Sequence, residues 1–155
     1  MSRVDVARLE AAYDRYADML YRLALSHLHH TADAMDAVQD VFLKYAQHHV
    51  LWHNDEHERA WLIRTTINRC HDLHRKRNIR AHQSLDDIVE HPAPDNETPA
   101  VLDAVRALPE KYRDVVVLHY LEGFQINEVA SMLSLSVSAV KMRLSRARDL
   151  LRTQL

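Results

Sequence analysis

Apolar residues recur every three or four positions along most of this chain, the spacing that places them on one face of an α-helix. The pattern predicts a first helix over about residues 5–28 and a second to about Gln47, with Thr31 or Asp33 as the cap of the second. The apolar positions of the first helix that follow helical spacing are Val6, Leu9, Tyr13, Tyr16, Leu20, Leu23 and Leu28. The inward-facing positions predicted for the second are Ala34, Val38, Val41, Phe42 and Tyr45.

A third helix is predicted after a loop, with Asn54 or Asp55 as its cap. Three helices of this length can enclose one small core. Beyond them, residues 78–99 contain three prolines, several acids and few apolar residues, which is typical of a linker. We therefore predict an N-terminal domain over residues 1–77 and a C-terminal domain over residues 100–155.

The C-terminal segment has the helix order of a helix-turn-helix unit. One predicted helix ends at Gly123, because glycine readily adopts the left-handed conformation of a helix terminus. A short helix follows over about residues 126–133, and Ser136 can cap a final helix. The residues predicted to face inward from that final helix are Val140, Leu144, Ala147 and Leu151. A unit of this kind places its second helix in a DNA groove.

Composition supports an all-α protein made of two small helical domains, the first with three helices and the second with four. One glycine and four prolines among 155 residues leave little room for β-hairpins. The single cysteine, Cys70, excludes an internal disulfide and suits a reducing compartment. The sequence has no apolar run of membrane-spanning length and no signal-peptide pattern. We therefore predict a cytoplasmic protein without direct membrane insertion.

Charge is distributed unevenly along the chain. The net charge of −2 argues weakly against a nucleic-acid partner. Residues 61–80 and 138–152, however, are each rich in Arg and Lys, whereas residues 81–103 contain six acids and neither Arg nor Lys. Because local potential decides where phosphate binds, the two basic segments predict DNA-binding surfaces on either side of an acidic linker.

The final helix has the side chains that base recognition requires. With its apolar positions turned inward, the residues that face outward near its start are Ser138, Lys141, Met142 and Ser145. Lys141 can donate to guanine acceptors and Met142 can contact a thymine methyl, while Arg143, Arg146 and Arg148 are better placed for phosphates. A solvated basic face on an ordinary amphipathic helix is the alternative interpretation.

Two blocks of the sequence together resemble the bacterial extracytoplasmic-function (ECF) RNA polymerase sigma factors. The family's region 4 is similar to the stretch that includes LPEKYRDVVVLHYLEGF, NEVASML and SLSVSAVKMRLSRARDLL. The region 2 helix that docks on RNA polymerase is similar to DAMDAVQDVFLKYA. The helix that reads the upstream edge of promoter melting is similar to AWLIRTTINRCHDLHRKR. The blocks occur in the family's order across most of the chain.

The resemblance implies a promoter-specificity subunit that directs transcription initiation, with no catalysis and no cofactor of its own. Its implied partners are core RNA polymerase, promoter DNA and an anti-sigma factor, without a small-molecule substrate. The implied polymerase-binding residues are Asp36, Gln39 and Asp40. Those implied for the minus-10 element are Arg64, Asn68, Arg75, Lys76 and Arg77. Those implied for the minus-35 element are Ser136, Ser138, Lys141, Met142, Arg143, Ser145 and Arg146.

The sequence departs from the family pattern at several positions. Ser134 stands where the family usually has the glycine of the motif turn, so the turn is strained if it needs a positive φ. His74 replaces a usually basic residue, and Met35 replaces a common acid. Trp61 lies among the family's DNA-contacting positions, but a core role is the simpler interpretation. The loop over residues 48–58 falls where the family captures a flipped base.

Twelve histidines raise the question of a metal site. His53 and His57 lie four positions apart, and His71 and His74 lie three apart beside Cys70, so each pair can share a helix face. Because no compact Cys/His set has structural-zinc spacing, we predict no metal and interpret these histidines as surface or DNA-facing residues. The sequence also lacks a phosphate-binding loop, a nucleophile elbow and an HExxH motif, so no enzymatic activity is predicted.

Two other hypotheses are compatible with the pattern. A helix-turn-helix transcriptional regulator with a helical sensor half would bind its operator tightly without polymerase. A sigma mimic would bind an anti-sigma protein and no DNA, but the basic faces at residues 75–77 and 141–148 argue against it.

Overall fold

The computed structural model describes residues 6–48, 52–83 and 100–154, and every regular element in these ranges is helical. The N-terminal helices are α1 (Val6–His27), α2 (Thr31–Gln47) and α3 (Asp55–Gln83). The C-terminal helices are α4 (Ala100–Ala107), α5 (Glu110–Val116) with a π-helical extension (Val117–Leu121), α6 (Ile126–Leu133) and α7 (Val137–Gln154). The predicted all-α class is confirmed. Helix α3 also includes residues 78–83 of the predicted linker, and residues 84–99 lie outside the described residues.

The core of the N-terminal half forms where α1, α2 and α3 pack together. Leu20 and Leu23 of α1 are fully buried against the inner face of α2, which contributes Val38 and Val41. Removing this much aliphatic surface from water stabilises the bundle by roughly 1.5–3 kcal/mol for each side chain. The predicted inward positions of α2 are all buried, as the period of the pattern required.

Two of the helically spaced apolar positions of α1 lie outside the core. Val6 is 69% exposed and Tyr13 is 52% exposed. Val6 occupies the first turn of α1, where no residue of the described ranges covers it, and Tyr13 lies at the margin of the buried face. Its ring contacts Phe42 at 5.0 Å between centroids, so it lines a surface groove between α1 and α2 and does not enter the core.

The predicted helix caps are correct for α3 and wrong for α2. The Oδ1 atom of Asn54 accepts the N–H of His57 at 2.8 Å, as an N-cap does. Helix α2, by contrast, has His30 at its N-cap without a side-chain cap hydrogen bond. The carboxylate of Asp33 accepts a hydrogen bond from Arg77 of α3, so a tertiary ion pair has replaced the local cap.

The C-terminal half packs α5 and α7 against α4 and α6. Val115 to Leu118 are buried where α5 widens into its π-helical extension. Gly123 then ends the extension with φ +77°, which confirms the predicted left-handed terminus. The N–H of Phe124 donates to the carbonyl of Leu118 at 3.0 Å and closes this end.

The two halves of the described chain are in direct contact. Arg106 of α4 donates through Nε to the carbonyl of Leu25 at 2.9 Å. Arg59 of α3 pairs with Glu128 of α6 at 3.0 Å, and its guanidinium lies 5.0 Å from the centroid of the Phe124 ring. In the part of the chain that the structure describes, no helix has both the length and the apolar character needed to cross a membrane.

Candidate nucleic-acid interface

Two caps fix the angle between the helices of the helix-turn-helix unit. Helix α6 ends at Ser134, whose φ of +56° and ψ of +43° lie in the left-handed region. The N–H of Leu135 donates to the carbonyl of Ala130 at 2.9 Å, which closes the turn. The Oγ atom of Ser136 then accepts the N–H of Ala139 at 3.1 Å and caps α7, as predicted. The turn therefore requires a positive φ at Ser134, which is the condition under which the sequence predicted strain.

Helix α7 presents its predicted polar side chains to solvent. Val140, Leu144 and Ala147 are buried against the C-terminal core, and they fix the rotation of the helix about its axis. The exposed side chains on the opposite face are Ser136, Ser138, Lys141, Met142, Ser145 and Arg146. Arg143 is half-buried, and Arg148 donates to the hydroxyl of Tyr120 at 2.7 Å. One face of α7 thus presents amine, hydroxyl and thioether groups close to its N-terminus.

The predicted minus-10 residues of α3 have different surroundings. Lys76 and Asn68 are exposed, and Arg75 forms an exposed ion pair with Asp72 at 2.6 Å. Arg77 pairs with Asp33, and Arg64 donates to carbonyls of α6. The acidic partners hold two of the arginines in place but also lower the positive potential of the surface that they form.

The predicted polymerase-binding residues lie on the outer face of α2. Asp36 and Gln39 are exposed, whereas Asp40 pairs with Arg69 of α3 at 2.7 Å. Beside them, α1 and α2 enclose an open apolar groove of about 530 Å³, lined partly by Phe42 and the exposed Leu43. An apolar groove next to exposed polar groups is the composition expected of a protein-docking surface.

An aromatic cluster joins the end of α2 to the start of α3. Trp52 stacks on Tyr45 at 5.8 Å and on His48 at 4.7 Å between ring centroids. Trp61 contacts the same rings, at 4.9 Å from His48 and 5.4 Å from Trp52. Trp61 is half-buried in this cluster, which agrees with the core interpretation in part. The interpretation of the sequence missed Trp52, since a tryptophan in a loop has no helical periodicity to reveal its partners.

A buried group of polar side chains lies between the two halves. Asp114 of α5 has a side chain that is 9% exposed, and it accepts hydrogen bonds from two histidines of the N-terminal half. His27 Nε2 lies 2.9 Å from its Oδ1, and His71 Nε2 lies 3.0 Å from its Oδ2. Burial raises the pKa of Asp114, but the hydrogen bonds from these histidines outweigh burial and hold that pKa at about 2. The carboxylate therefore remains ionised at neutral pH.

The interpretation of the paired histidines as surface or DNA-facing residues is wrong for α3. His71 and His74 both lie in the contact between the halves, where His74 Nε2 is 2.7 Å from the carbonyl of His27. Burial, followed by the nearby charge of Arg113, lowers the pKa of His74 to about 4. His53 and His57 do lie on the surface, stacked at 5.3 Å. Among the described residues, no group of three or more His, Cys, Asp or Glu side chains is arranged to hold a metal ion.

The structure brings residues of both predicted DNA-binding faces to one small cavity. Arg64 and Asn68 of α3 line a space of about 200 Å³ together with Ser134 and Arg143 of the helix-turn-helix unit. The guanidinium of Arg64 donates to the carbonyls of Met132 at 3.0 Å and Ser131 at 3.4 Å. These are carbonyls of the last turn of α6, where a cation is favoured by the helix dipole.

Comparison with known proteins identifies the family. Residues 12–80 match the sigma-70 region 2 family, and residues 99–151 match the sigma-70, region 4 family. The chain is 34% identical over 163 residues to the ECF RNA polymerase sigma factor SigM of Mycobacterium tuberculosis, covering 95% of this chain and 81% of that protein. It is 30% identical over 160 residues to SigL of the same species, covering 97% and 90%.

A similar fold occurs in a solved structure of the sigma factor RpoE in complex with the anti-sigma factor NepR from Bartonella quintana. The TM-score is 0.71 at 23% identity, over 96% of this chain and 97% of that chain. The sequence matches show that this chain belongs to the ECF sigma factors, which are transcription initiation factors of the sigma-70 family. It is thus a sigma factor that directs transcription initiation.

Proposed function

We propose that this sigma factor holds a promoter through two separate surfaces, the exposed face of α7 and the basic face of α3. The observation that carries the proposal is the exposed face at the start of α7, held outward by the buried residues Val140 and Leu144. In a helix-turn-helix unit this end of the second helix contacts base edges in the major groove.

The residues of α7 divide into base-reading and phosphate-binding groups. Lys141 is exposed in the second turn and suits guanine acceptors, while Met142 suits a thymine methyl. Arg143 and Arg146 would contact phosphates and contribute affinity without sequence information. We assign the minus-35 element to this set, which is completed by Ser136, Ser138 and Ser145.

The minus-10 element is assigned to the same face of α3 that the sequence indicated. Arg64, Asn68 and Arg75 follow one another at spacings of four and seven residues, which keeps them on one side of the helix. Lys76 and Arg77 extend the positive surface. The aromatic cluster around Trp52 lies at the start of α3, where stacking groups could support an unpaired base.

Core RNA polymerase is assigned to the outer face of α2, through Asp36, Gln39 and Asp40. The solved relative RpoE is bound by an anti-sigma factor, and we propose an anti-sigma partner for this chain also. The protein needs no cofactor and catalyses no reaction in this scheme, because polymerase supplies the chemistry. A role on polymerase places the chain in the cytoplasm.

Transcription from a genomic library with purified core RNA polymerase tests the proposed function. Start sites should cluster downstream of one shared promoter sequence when the chain is added. Lys141→Ala should lower initiation about tenfold at those promoters, since one base-specific contact contributes about 1–3 kcal/mol. Asp149→Asn, an exposed change on the same helix, serves as the control. Initiation that is unaffected by Lys141→Ala would contradict the assigned minus-35 contact, and tight operator binding without polymerase would favour a conventional regulator.

A further inference from the structure

Two tyrosines of α5 and its π-helical extension each bind one arginine of α7. The Nη1 atom of Arg148 donates to the hydroxyl of Tyr120 at 2.7 Å. The guanidinium of Arg146 donates to the hydroxyl of Tyr112, and this hydrogen bond is the largest cause of the lowered pKa of Tyr112. Both arginines are exposed, yet each has an acceptor on a neighbouring helix of the C-terminal half.

The rings of both tyrosines are themselves fixed. The Nζ atom of Lys111 lies 5.0 Å from the centroid of the Tyr112 ring, and this ring packs partly against the C-terminal core. The Tyr120 ring contacts the edge of His119 at 4.9 Å between centroids, and His119 Nδ1 lies 2.7 Å from the carbonyl of Phe124. A fixed ring presents its hydroxyl at one place, so the hydrogen bond limits the directions that the bound arginine can take.

The π-helical extension brings the two hydroxyls towards one side of α5. In a regular α-helix, two residues eight positions apart differ in direction by about 80°. A π-helix has more residues per turn, so the extension over Val117–Leu121 turns Tyr120 back towards the direction of Tyr112. The residues between the tyrosines are buried from Val115 to Leu118, and α5 packs against α7. The two tyrosines therefore reach α7 from the two ends of the segment that supports it.

Arg146 and Arg148 lie on opposite edges of the exposed face of α7. They are two residues apart, which is about 200° around the helix axis. Lys141 and Ser145 lie on the face between these edges. The major groove is about 12 Å wide, close to the diameter of a helix with its side chains, so a helix in the groove has a phosphate backbone along each edge. Each arginine is therefore placed beside a different strand.

The acceptors of these two arginines carry no charge, which distinguishes α7 from α3. Arginines of α3 pair with carboxylates, as Arg69 does with Asp40 at 2.7 Å. On α7, Arg152 is the one arginine that forms such a pair among the described residues. A phenol hydroxyl occupies one of the five guanidinium N–H donors and cancels none of the charge. Arg146 and Arg148 therefore keep their full charge and most of their donors for phosphate oxygens.

We propose that Tyr112 and Tyr120 are positioning residues, which orient Arg146 and Arg148 towards the phosphates on the two sides of the minus-35 element. The inference rests on the proposed function, because those phosphates belong to the promoter that α7 binds. Neither tyrosine has to contact DNA. Each hydroxyl reduces the conformational freedom that its arginine loses when the promoter binds, and a smaller ordering cost gives a higher affinity.

The first experiment measures the arginines in the full chain without DNA. Tyr112→Phe and Tyr120→Phe each remove one oxygen and leave the ring in place, and far-UV circular dichroism verifies that both variants remain helical. The readout is the NMR order parameter of the arginine Nε–H groups. Tyr112→Phe should lower the value for Arg146 below about 0.6, the range of mobile groups, and leave that of Arg148 unchanged. Tyr120→Phe should lower the value for Arg148 alone.

The second experiment measures the affinity of the holoenzyme, formed with core RNA polymerase, for a promoter fragment mapped in the transcription experiment. Tyr112→Phe should lower this affinity about threefold, since ordering one rotamer-rich side chain changes an affinity by about two- to twelvefold. The loss should disappear in the Arg146→Gln protein and persist in the Arg148→Gln protein, which is the matched control. Tyr120→Phe should lose its effect only in the Arg148→Gln protein.

The salt dependence of the same affinity separates positioning from charge. Arg146→Gln should reduce the slope of log affinity against log salt concentration by about 1, because it removes one phosphate contact. Tyr112→Phe should leave the slope unchanged, because the charge of Arg146 remains.

Equal losses of affinity for Tyr112→Phe in the wild-type and Arg146→Gln proteins would overturn the proposal, since the hydroxyl would then act without the arginine. Order parameters that neither tyrosine variant changes would overturn it as well. Failure of the proposed function is read from the arginines alone. Promoter affinity that Arg146→Gln and Arg148→Gln leave unchanged would contradict their phosphate contacts, and with them the role of the tyrosines in binding.

Discussion

The turn between α6 and α7 allows a quantitative prediction for Ser134→Gly. Ser134 has φ +56° and ψ +43°, a conformation that costs an L-residue about 1–2 kcal/mol relative to the right-handed region. Glycine avoids that cost but loses about 0.5–1 kcal/mol more conformational entropy when the chain folds. Because the Ser134 side chain is exposed, its loss removes little packing. The substitution should therefore stabilise the protein by about 0.5–1 kcal/mol.

Chemical and thermal unfolding, followed by circular dichroism, measure this effect. The urea midpoint should rise without a change in slope, and the melting temperature should rise by about 1–4 °C for a chain of this length. Ser145→Gly is the matched control, because Ser145 is exposed in the interior of α7. In the interior of a helix, the same change from serine to glycine should destabilise the protein by about 0.5 kcal/mol, because glycine has the lower helix propensity. A Ser134→Gly protein that is no more stable than the wild type, beside a destabilised Ser145→Gly protein, would refute the strain argument.

Three further substitutions test other features of the fold. Gly123→Ala should destabilise the protein by about 1 kcal/mol in urea unfolding, because Gly123 has a φ of +77°, even though an added Cβ would meet no atom within 4 Å. An unchanged urea midpoint would contradict this prediction. Glu128→Ala should lower the free energy of unfolding by about 1–2 kcal/mol, since it removes the 3.1 Å hydrogen bond from the N–H of Gln125 and the ion pair with Arg59. In a protein that already lacks the Arg59 side chain, the same substitution should cost less. The pKa of His74 is lowered to about 4, so its contribution to stability is complete above pH 6.5 and is lost as pH falls towards 4. His74→Gln should reduce the loss of stability between pH 6.5 and 4.5 by about 1 kcal/mol, a value that allows for the partial exposure of His74. A pH profile of stability identical to that of the wild type would argue against the lowered pKa of His74.

The sequence predicted those features that depend on neighbouring residues. The apolar period placed the seven helices of the described residues, and Asn54 and Ser136 were recognised as caps because a cap bonds to a backbone N–H only three residues away. The exposed face of α7 followed from the burial of Val140 and Leu144 on the opposite face. The departure at Ser134 identified the turn that needs a positive φ.

The predictions failed where a distant segment competes for a side chain. Asp33 was a plausible cap for α2, but Arg77 of α3 pairs with it. Tyr13 fits the period of α1, yet it lies on an open groove because the packing of α2 leaves that edge uncovered. The contact of Arg64 with carbonyls of α6 was likewise not foreseen, although its assignment to DNA stays a prediction.

What the sequence determined by itself is the set of amphipathic helices, the turns between them and the family to which the chain belongs, because each depends on local spacing or on residues within a motif. Only the tertiary structure determined how the halves meet. Asp114 lies 87 positions from His27 and 43 from His71, and no periodicity relates them. A buried carboxylate is stable only if donors reach it, and those donors come from helices that docking alone brings within 3 Å.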